Sequence, residues 1–319
     1  MLVNKATSLS IVVVSFNCKE LLMGTIRSVI EGDLDDYEII VVENGNDGGA
    51  EYVSRLFPMV KVVMNDKNTG FAAANNKGFQ LSTGDYVLLL NPDTIVLPNT
   101  INPLVEFMKR NKKCGICGPK ILNAAGFHAT NPCSALRPSK MISDLLLKRL
   151  LRLRKEAAKA EESCRSDFVH GSCMLIRRAV YDSLGGLDER LFMYCEEFEF
   201  SNRASAAGWE TWYVSDAEVI HLGEGASDES LRWAIPLRWH SALAVYGRYR
   251  STGWVLTLRV AAILNLIVDF VSTVVSSVTG KLRGSFSKRM EGLGRALLTL
   301  LLPVAVGAKF IPNPQQNLD

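Results

Sequence analysis

Residues 9–15 read LSIVVVS, a continuous run of apolar and mostly β-branched residues. Such a run is typical of a strand that is buried on both faces of a sheet. Further strands and helices are predicted to follow it in alternation, which implies a mostly parallel sheet with right-handed crossovers and an α/β fold. The predicted strands are Leu9–Ser15, Tyr37–Val42, Val60–Asn65 and Tyr86–Leu90, and the predicted helices are Lys19–Glu31, Glu51–Phe57 and Ala72–Leu81.

The pattern continues less regularly after residue 130. Leucines alternate with Lys and Arg across Arg137–Ala160, which predicts a basic amphipathic helix. Two interpretations of that helix stay open, one in which it packs on the protein body and one in which it lies at a membrane interface. Strands are then predicted at Phe168–Arg178, Thr211–Val214 and Ala217–Ile220, with a helix over Glu196–Ala207 that Gly208 ends.

Charge is distributed unevenly along the 319 residues. The formal net charge is only +3, which excludes a strongly basic nucleic-acid binder, and 48% hydrophobic residues are enough for a folded core. From Arg232 onward, however, 11 Lys and Arg face 3 Asp and Glu, a net charge of +8. We therefore predict a globular domain over residues 1–231 and a basic helical region over 232–319 that meets an anionic membrane surface.

Two apolar stretches lie in the basic region. Trp254–Val278 is long enough to consider as a membrane span, but Arg259, Asn265 and Asp269 interrupt it. Leu293–Ala308 is too short for an ordinary span. In-plane or re-entrant helices on an anionic leaflet are therefore favoured over a true span. A basic cluster lies between the two stretches, formed by Lys281, Arg283, Lys288 and Arg289.

Cysteine usage indicates a reducing compartment. The seven cysteines are scattered, and the start of the chain has no apolar signal-peptide region. Cys114 and Cys117 form one CxxC pair without the second pair that a zinc site needs, so we expect them in or near a buried strand. The predicted location is the cytoplasmic face of the cell membrane, with a peripheral or monotopic attachment.

Polar side chains follow three of the predicted strands at the point where each strand ends. These clusters are Ser15-Phe16-Asn17, Glu43-Asn44 and Asn91-Pro92-Asp93. Ordinary loop chemistry explains each cluster singly, but ligands of parallel α/β sheets bind at the carboxyl ends of the strands. The three clusters together therefore predict a binding site at this edge.

Two residues suggest a metal at that edge. Asp93 follows a buried strand and a proline, where a carboxylate could hold a hard divalent cation against a phosphate. His221 also follows a strand and could be a second ligand, which suits Mn²⁺ somewhat better than Mg²⁺. A buried, hydrogen-bonded histidine is the alternative.

Glu196, Glu197 and Glu199 crowd the start of a predicted helix. Negative charge is favourable there because of the helix dipole, which is one explanation of the cluster. The other is a general base, because neighbouring carboxylates in a partly apolar pocket raise the pKa of one another. No glycine-rich phosphate loop and no GxSxG nucleophile motif is present in the sequence.

Eight motifs in order resemble inverting family-2 glycosyltransferases of the GT-A fold, and in particular their bacterial rhamnosyltransferase-like members. The resemblance covers residues 9–225, and it is specific for the family but not for the sugar. The motifs are IVVVSFN from Ile11, IVVEN from Ile40, NTGFAAANN from Asn68, LLLNPDT from Leu88, GSCMLIR from Gly171, GGLDERLFMYCEE from Gly185, AGW from Ala207 and VIHLG from Val219.

The resemblance implies roles for matching positions. Glu197 matches the catalytic base, which is normally an aspartate, so either the site tolerates glutamate, or Glu196 takes the role, or activity is reduced. Glu43 likewise stands where the family usually has an aspartate that contacts a pyrimidine. The implied nucleotide-sugar-binding residues are Ser15, Asn17, Glu43, Asn44, Asn75, Asn76, Asn91, Asp93 and Arg203, and the implied metal ligands are Asp93 and His221.

The resemblance implies an inverting transfer of a sugar, with rhamnose among the candidates, from a nucleotide-diphosphate sugar. The acceptor would be a hydroxyl of a lipid-linked glycan in cell-surface polysaccharide synthesis, and the cofactor Mn²⁺ or Mg²⁺. A non-catalytic, membrane-attached nucleotide-sugar-binding scaffold is the alternative that the glutamate at Glu197 keeps open. A nucleotidyltransferase lacks the N-terminal activating loop it needs. The sequence leaves a homodimer open.

Overall fold

The computed structural model describes residues 9–32, 34–130, 162–223, 231–280 and 285–304. These residues belong to two compact units. The first unit contains the described residues up to 192 together with 196–223, and the second contains 193–195 and everything described from 231 onward. The basic helix predicted over Arg137–Ala160 lies outside the described residues, as do Lys281, Arg283 and residues 305–308 of the second apolar stretch.

Among the described residues, ten strands form one sheet in the first unit, in the order β3-β2-β1-β4-β9-β6-β10-β5, with β7 on β6 and β8 on β10. The strands are β1 (Leu9–Ser15), β2 (Tyr37–Glu43), β3 (Lys61–Met64), β4 (Tyr86–Leu90), β5 (Thr94–Val96), β6 (Cys114–Leu122), β7 (His128–Thr130), β8 (Cys164–Arg165), β9 (Cys173–Arg177) and β10 (Glu210–His221).

Six described helices belong to the first unit and three to the second. The first six are α1 (Lys19–Ile30), α2 (Gly49–Leu56), α3 (Phe71–Leu81), α4 (Ile101–Arg110), α5 (Arg178–Leu184) and α6 (Glu196–Ala206). The last three are α7 (Leu231–Tyr249), α8 (Thr252–Val278) and α9 (Phe286–Leu301).

The predicted α/β fold with a mostly parallel sheet is confirmed. Strands β3, β2, β1 and β4 are parallel neighbours, and Ser15 pairs in register with Glu43. Strand β9 departs from this pattern because it runs antiparallel between β4 and β6. The polar ends of β1, β2 and β4 therefore lie at one edge of the sheet, and β9 brings a later segment of the chain beside them.

Both faces of the sheet are covered, as the apolar runs of its strands predict. Along β1, Ile11 and Val13 belong to a core cluster that includes Leu22 and Ile26 of α1. The residue between them, Val12, belongs to the cluster on the other face. That second cluster includes Phe79, Val180, Tyr181 and Phe200, from α3, α5 and α6.

Some boundaries differ from the predictions. The strand predicted at Phe168–Arg178 forms only over Cys173–Arg177, because a turn at residues 171–172 precedes it and α5 begins at Arg178. The two strands predicted at Thr211–Val214 and Ala217–Ile220 are one strand, with an irregular register between Val214 and Glu218 that hides its continuity in the sequence. Cys114 and Cys117 are buried in β6.

The second unit is a group of helices with polar side-chain contacts between them. Glu291 of α9 accepts from Arg295 of the same helix and from Arg232 of α7, at 2.7 and 2.8 Å. Arg259 of α8 donates to the carbonyl oxygens of Leu300 and Leu302, the latter at 2.8 Å, at the end of α9. Among the described helices, α8 alone has the length and apolar composition of a membrane span.

Candidate active site

The ends of β1 and β2 interlock through backbone and side-chain bonds. The N–H of Asn44 donates to the carbonyl of Ser15 at 2.8 Å, and the N–H of Asn46 donates to Oδ1 of Asn17 at 3.0 Å. Asn17 has a φ of 47°, a left-handed conformation that asparagine tolerates. A Cβ on Gly45 would lie 2.7 Å from the backbone nitrogen of Asn17, so only glycine permits this approach.

Glu43 lies at this junction with one carboxylate oxygen unsatisfied. Its side chain is buried, and Oε1 accepts from the N–H of Gly45 at 2.7 Å. Oε2 has no hydrogen-bond partner, which is costly for a buried acceptor unless a ligand supplies a donor. Burial raises the pKa of Glu43, and bonds from Gly45 and Ser15 offset part of that rise. The position therefore suits an N–H group of a ligand.

Asn44, predicted to line the same pocket, instead holds a neighbouring loop. Its Nδ2 donates to the carbonyl of Gly70 at 3.3 Å, and its Oδ1 accepts from Asn65 Nδ2 at 2.7 Å. Gly70 has a φ of 86°, and a Cβ there would lie 2.5 Å from the carbonyl oxygen of Phe192. The loop is thus fixed against Phe192. Asn44 therefore contributes to the site indirectly, by holding this loop in place.

Asn75 and Asn76 of α3 also bind protein groups. Asn75 donates to the carbonyl of Phe71 at 2.9 Å. Asn76 donates to the carbonyl of Leu187 at 2.9 Å and to Glu189 at 2.8 Å, and it accepts from Tyr181 and from the N–H of Leu187. Asn76 therefore joins α3 to the segment between α5 and α6.

Arg203 of α6 has protein acceptors at all three guanidinium nitrogens. It donates to the carbonyl oxygens of Leu184 and Gly186 at 2.7 and 2.8 Å. It also makes two-point contact with the buried carboxylate of Glu199, at 2.7 to 2.9 Å. The resemblance implies nucleotide-sugar binding by Arg203, whereas these contacts favour orientation of the acidic helix over contact with phosphate.

Strand pairing places Asp93 beside His221. Thr94 of β5 is paired with His221 of β10, and the N–H of Leu222 donates to the carbonyl of Asp93 at 2.9 Å. His221 Nε2 lies 3.2 Å from Asp93 Oδ1, and the Asp93 side chain is 8% exposed. Asn91, two residues earlier, donates its N–H to the carbonyl of Ser172 at 2.9 Å. Its buried Oδ1 has no partner, so it can accept from a ligand.

The segment just before β9 joins this pair to the acidic helix. The rings of His170 and His221 lie 5.3 Å apart, and His170 Nδ1 is 2.8 Å from Ser172 Oγ. A Cβ on Gly171 would lie 4.0 Å from Cδ of Glu197. Sequence reasoning missed His170. The available signal was a histidine near the start of the strand predicted at Phe168–Arg178, in a chain with only four histidines.

The two candidate bases have different surroundings. Glu196 is buried, its Oε2 has no partner, and burial together with the charge of Glu197 raises its pKa well above the ordinary range. Glu197 is only partly buried. The two residues before α6, Tyr194 and Cys195, have φ of 73° and 67°, a strained conformation that often accompanies functional positions.

The residues at this edge fit a divalent cation that is shared with a ligand. Asp93 and His221 offer one carboxylate and one imidazole, donors that Mn²⁺ accepts. Within the described ranges, no group of three or more His, Cys, Asp or Glu side chains could hold a metal ion. Oxygen atoms of a bound phosphate and of water would have to complete the coordination.

Comparison with known proteins shows the family of the chain and agrees with the fold. Residues 10–185, more than half of the chain, match the model of the family "Glycosyl transferase family 2". The chain belongs to that family.

Curated relatives include rhamnosyltransferases. The N-acetylglucosaminyl-diphospho-decaprenol L-rhamnosyltransferase of Mycobacterium tuberculosis is 28% identical over 203 residues, covering 57% of this chain and 66% of the relative. Rhamnosyltransferase WbbL of Escherichia coli is 26% identical over 227 residues, covering 66% of this chain and 81% of the relative. The chain thus spans slightly less than two thirds of the length of the mycobacterial relative.

Solved structures share the fold. The mannosyltransferase PcManGT from Pyrobaculum calidifontis, solved with GDP-Man and Mn²⁺, superposes with a TM-score of 0.54 at 15% identity. The match covers 95% of this chain and 84% of that one. At this identity the likeness shows the GT-A-like architecture alone.

Proposed function

We propose that this protein transfers a sugar from a nucleoside-diphosphate sugar to a hydroxyl group of a lipid-linked glycan, with inversion at the anomeric carbon. One observation carries the proposal. Residues 170–172 connect the Asp93–His221 pair to Glu197, so a cation-binding carboxylate and a candidate base lie on either side of one short segment. Family membership supports the reaction class.

The nucleoside would bind at the ends of β1 and β2. Glu43 Oε2, buried and unpartnered, would accept from a base N–H, and Asn17 would form part of the pocket wall. A pyrimidine with an N–H at this edge is the base that we expect.

The diphosphate would lie at the end of β4. Asp93 and His221 would hold Mn²⁺ or Mg²⁺, and that ion would neutralise the charge that develops on the departing nucleoside diphosphate. The partnerless Oδ1 of Asn91 faces the same edge as a fixed acceptor. His170 lies beside His221 and would help to fix the orientation of that imidazole.

Glu197 would be the general base. Glu197 is partly exposed, whereas burial and the neighbouring charge of Glu197 raise the pKa of Glu196 well above the ordinary range, which disfavours the ionised form that a general base needs. The acceptor hydroxyl would give its proton to Glu197 as its oxygen bonds to the anomeric carbon, while the bond from that carbon to the diphosphate oxygen breaks. Attack from the face opposite the leaving group inverts the configuration and requires no covalent intermediate.

The acceptor and sugar are proposed from relatives. The mycobacterial relative is named for transfer of L-rhamnose to a diphospho-decaprenol-linked N-acetylglucosamine. A lipid-diphosphate-linked glycan as acceptor and rhamnose as sugar follow as proposals for this chain, in the synthesis of a surface polysaccharide. The cytoplasmic face as its location stays a prediction. A homodimer stays a prediction.

A donor screen tests the proposal. Nucleoside-diphosphate release is followed with Mn²⁺ and a lipid-linked acceptor from dTDP-rhamnose, UDP-glucose, UDP-galactose, UDP-N-acetylglucosamine and GDP-mannose. Release from one donor that is lost in Glu197→Gln and Asp93→Ala, but kept in the exposed control Glu51→Gln, is the expected result. Metal-dependent donor binding without release from any donor would favour the non-catalytic scaffold. Absence of all donor binding would overturn both the glycosyltransferase and the scaffold hypotheses.

A further inference from the structure

Helix α8 presents a continuous apolar face to solvent. Its members recur at intervals of four, four and three residues, which places them on one side of an α-helix. Each is between 41% and 83% exposed, and from Leu256 to Val275 no charged residue is among the exposed positions. This outer apolar face consists of Leu256, Val260, Leu264, Ile267, Val271, Val275 and Val278.

The opposite side of α8 is already occupied within its own unit. Leu258, Ala261, Ala262 and Leu266 are buried there, and α9 and α7 both contact the helix. Arg259 reaches the carbonyl oxygens at the end of α9. The outer apolar face is therefore exposed even though α8 is packed against other helices of its unit. A fully apolar stripe of this length on a soluble surface marks an interaction site.

The amino-terminal end of the outer apolar face carries aromatic and basic side chains. Tyr249 is 40% exposed, Trp254 stacks on Tyr246 at 4.9 Å, and the guanidinium of Arg250 lies 5.7 Å from the ring of Trp254. Tyrosine and tryptophan favour the boundary between lipid and water, where basic side chains meet anionic headgroups. The chemistry at this end of the helix thus matches a bilayer surface.

Charges on α9 argue against insertion of the whole helical group across a bilayer. Helix α9 packs against α8 and carries Lys288, Arg289, Glu291 and Arg295 within its first three turns. If α8 spanned the hydrocarbon, these charged side chains would be drawn toward it, and charged groups are costly to place in the interior of a bilayer. An orientation in which only the outer apolar face touches lipid avoids that cost.

We propose that the outer apolar face of α8 lies in the plane of an anionic lipid bilayer, inserted to the depth of the headgroup–acyl boundary. Residues 232–319 carry a net charge of +8, which anionic headgroups attract and which a second copy of the same region would repel. Lipid is therefore favoured over a second copy as the occupant. The proposal names a partner of the second unit and does not depend on the transfer reaction.

Vesicle flotation of the full-length protein tests this surface. Vesicles of equal parts phosphatidylcholine and phosphatidylglycerol are compared with vesicles of phosphatidylcholine alone. We expect wild type to float with the anionic vesicles and much less with the neutral ones. The variants Ile267→Asp and Val271→Asp each place a charge on an exposed apolar residue that would contact lipid, so vesicle affinity should fall by at least about tenfold.

The matched control is Met59→Asp, which places the same charge on an exposed apolar residue of the first unit and should leave flotation unchanged. Far-ultraviolet circular dichroism and binding of uridine diphosphate are measured for every variant, so that loss of folding or of the donor site is separated from loss of lipid binding. Equal flotation of wild type and both aspartate variants would overturn the proposal. A wild-type dimer that Ile267→Asp converts to monomers, without vesicle binding, would overturn it in favour of a second copy.

Discussion

His221 Nε2 lies 3.2 Å from Asp93 Oδ1, and this contact depends on the antiparallel pairing of β5 with β10. The pairing fixes both backbones, so the two side chains meet without help from a flexible loop. A carboxylate and an imidazole held in this way form an arrangement that a divalent cation can join with little rearrangement.

Replacement of Asp93 should abolish both transfer and metal-dependent donor binding. Asp93→Ala removes the carboxylate of the pair, and we expect donor turnover to fall by at least about 100-fold, because a bound cation contributes several kcal/mol of charge stabilisation. Isothermal titration with uridine diphosphate, with and without Mn²⁺, measures the binding part. Asp216→Ala, an exposed aspartate on the same strand as His221, is the matched control. Unchanged Mn²⁺ dependence in Asp93→Ala would remove this residue from the site.

Glu197 and Glu196 can be separated kinetically. Glu197→Gln should lower kcat by about 10²- to 10⁴-fold and leave the Kd of the donor unchanged, since a general base acts on the acceptor. Glu196→Gln mimics the protonated side chain and should retain most activity. Single-turnover assays on both variants check this expectation. The reverse pattern would assign the base to Glu196.

Stability should decrease as pH rises, in part through Glu196. Burial, and then the charge of Glu197, raise the pKa of Glu196 above its ordinary value of 4.5. The folded state therefore retains a proton that the unfolded state has released, and the free energy of unfolding falls as pH rises from 4.5 through the raised pKa.

Glu196→Gln should remove this contribution, so its stability should fall less than that of wild type between about pH 5 and about pH 8. Urea unfolding at both pH values measures the difference. Glu43, whose pKa is also raised, contributes in the same direction, so some slope should persist in the variant. Parallel curves for wild type and variant would show that Glu196 is ionised in the folded protein.

Arg203 should matter for stability more than for donor affinity. Arg203→Ala removes the two-point contact to the buried Glu199 carboxylate and the donors to two carbonyl oxygens, so we expect a loss of about 3 kcal/mol in the free energy of unfolding. Donor Kd, measured where the variant is folded, should change by less than about threefold. A large rise in Kd with little loss of stability would indicate phosphate contact instead.

Glu43 should determine how tightly the nucleobase is held. Glu43→Gln can keep the bond from the Gly45 N–H but replaces the unpartnered acceptor with an N–H₂ donor. We expect uridine diphosphate to bind about 10- to 100-fold more weakly, since an unpaired polar group costs about 1–3 kcal/mol. Glu51→Gln, exposed on α2, is the control. Equal affinity in the two variants would place the base elsewhere.

The first half of the sheet could be predicted from sequence because its central strands β1 and β4 are short and fully buried. A strand that is buried on both faces of a sheet needs a continuous apolar run, and such runs are LSIVVVS and YVLLL. The polar residues after these runs mark the edge of the sheet where ligands of α/β folds bind. The antiparallel insertion of β9 could not be predicted, because a strand pattern carries no information on direction or neighbours.

The site was predictable in residue type but less so in geometry. Ser15, Asn17, Glu43 and Asp93 could be located because each follows a predicted strand. Asn76 and Arg203 are also polar residues in matching motifs, yet their partners are carbonyl groups on a distant turn, which only the folded chain brings near. His170 was missed because it meets His221 of β10 only in the folded chain, and the sequence does not show that the two residues are neighbours.

Strand β4 receives its second neighbour late in synthesis. It pairs with β1 on one side, but the other side pairs with Cys173–Arg177, which the ribosome produces long after Leu90. A nascent chain that has emerged only to α4 therefore exposes an open parallel edge, the kind of surface that recruits other strands and aggregates. Truncations that end before β9 should accumulate in inclusion bodies, and the cell has to shield this edge until β9 is available.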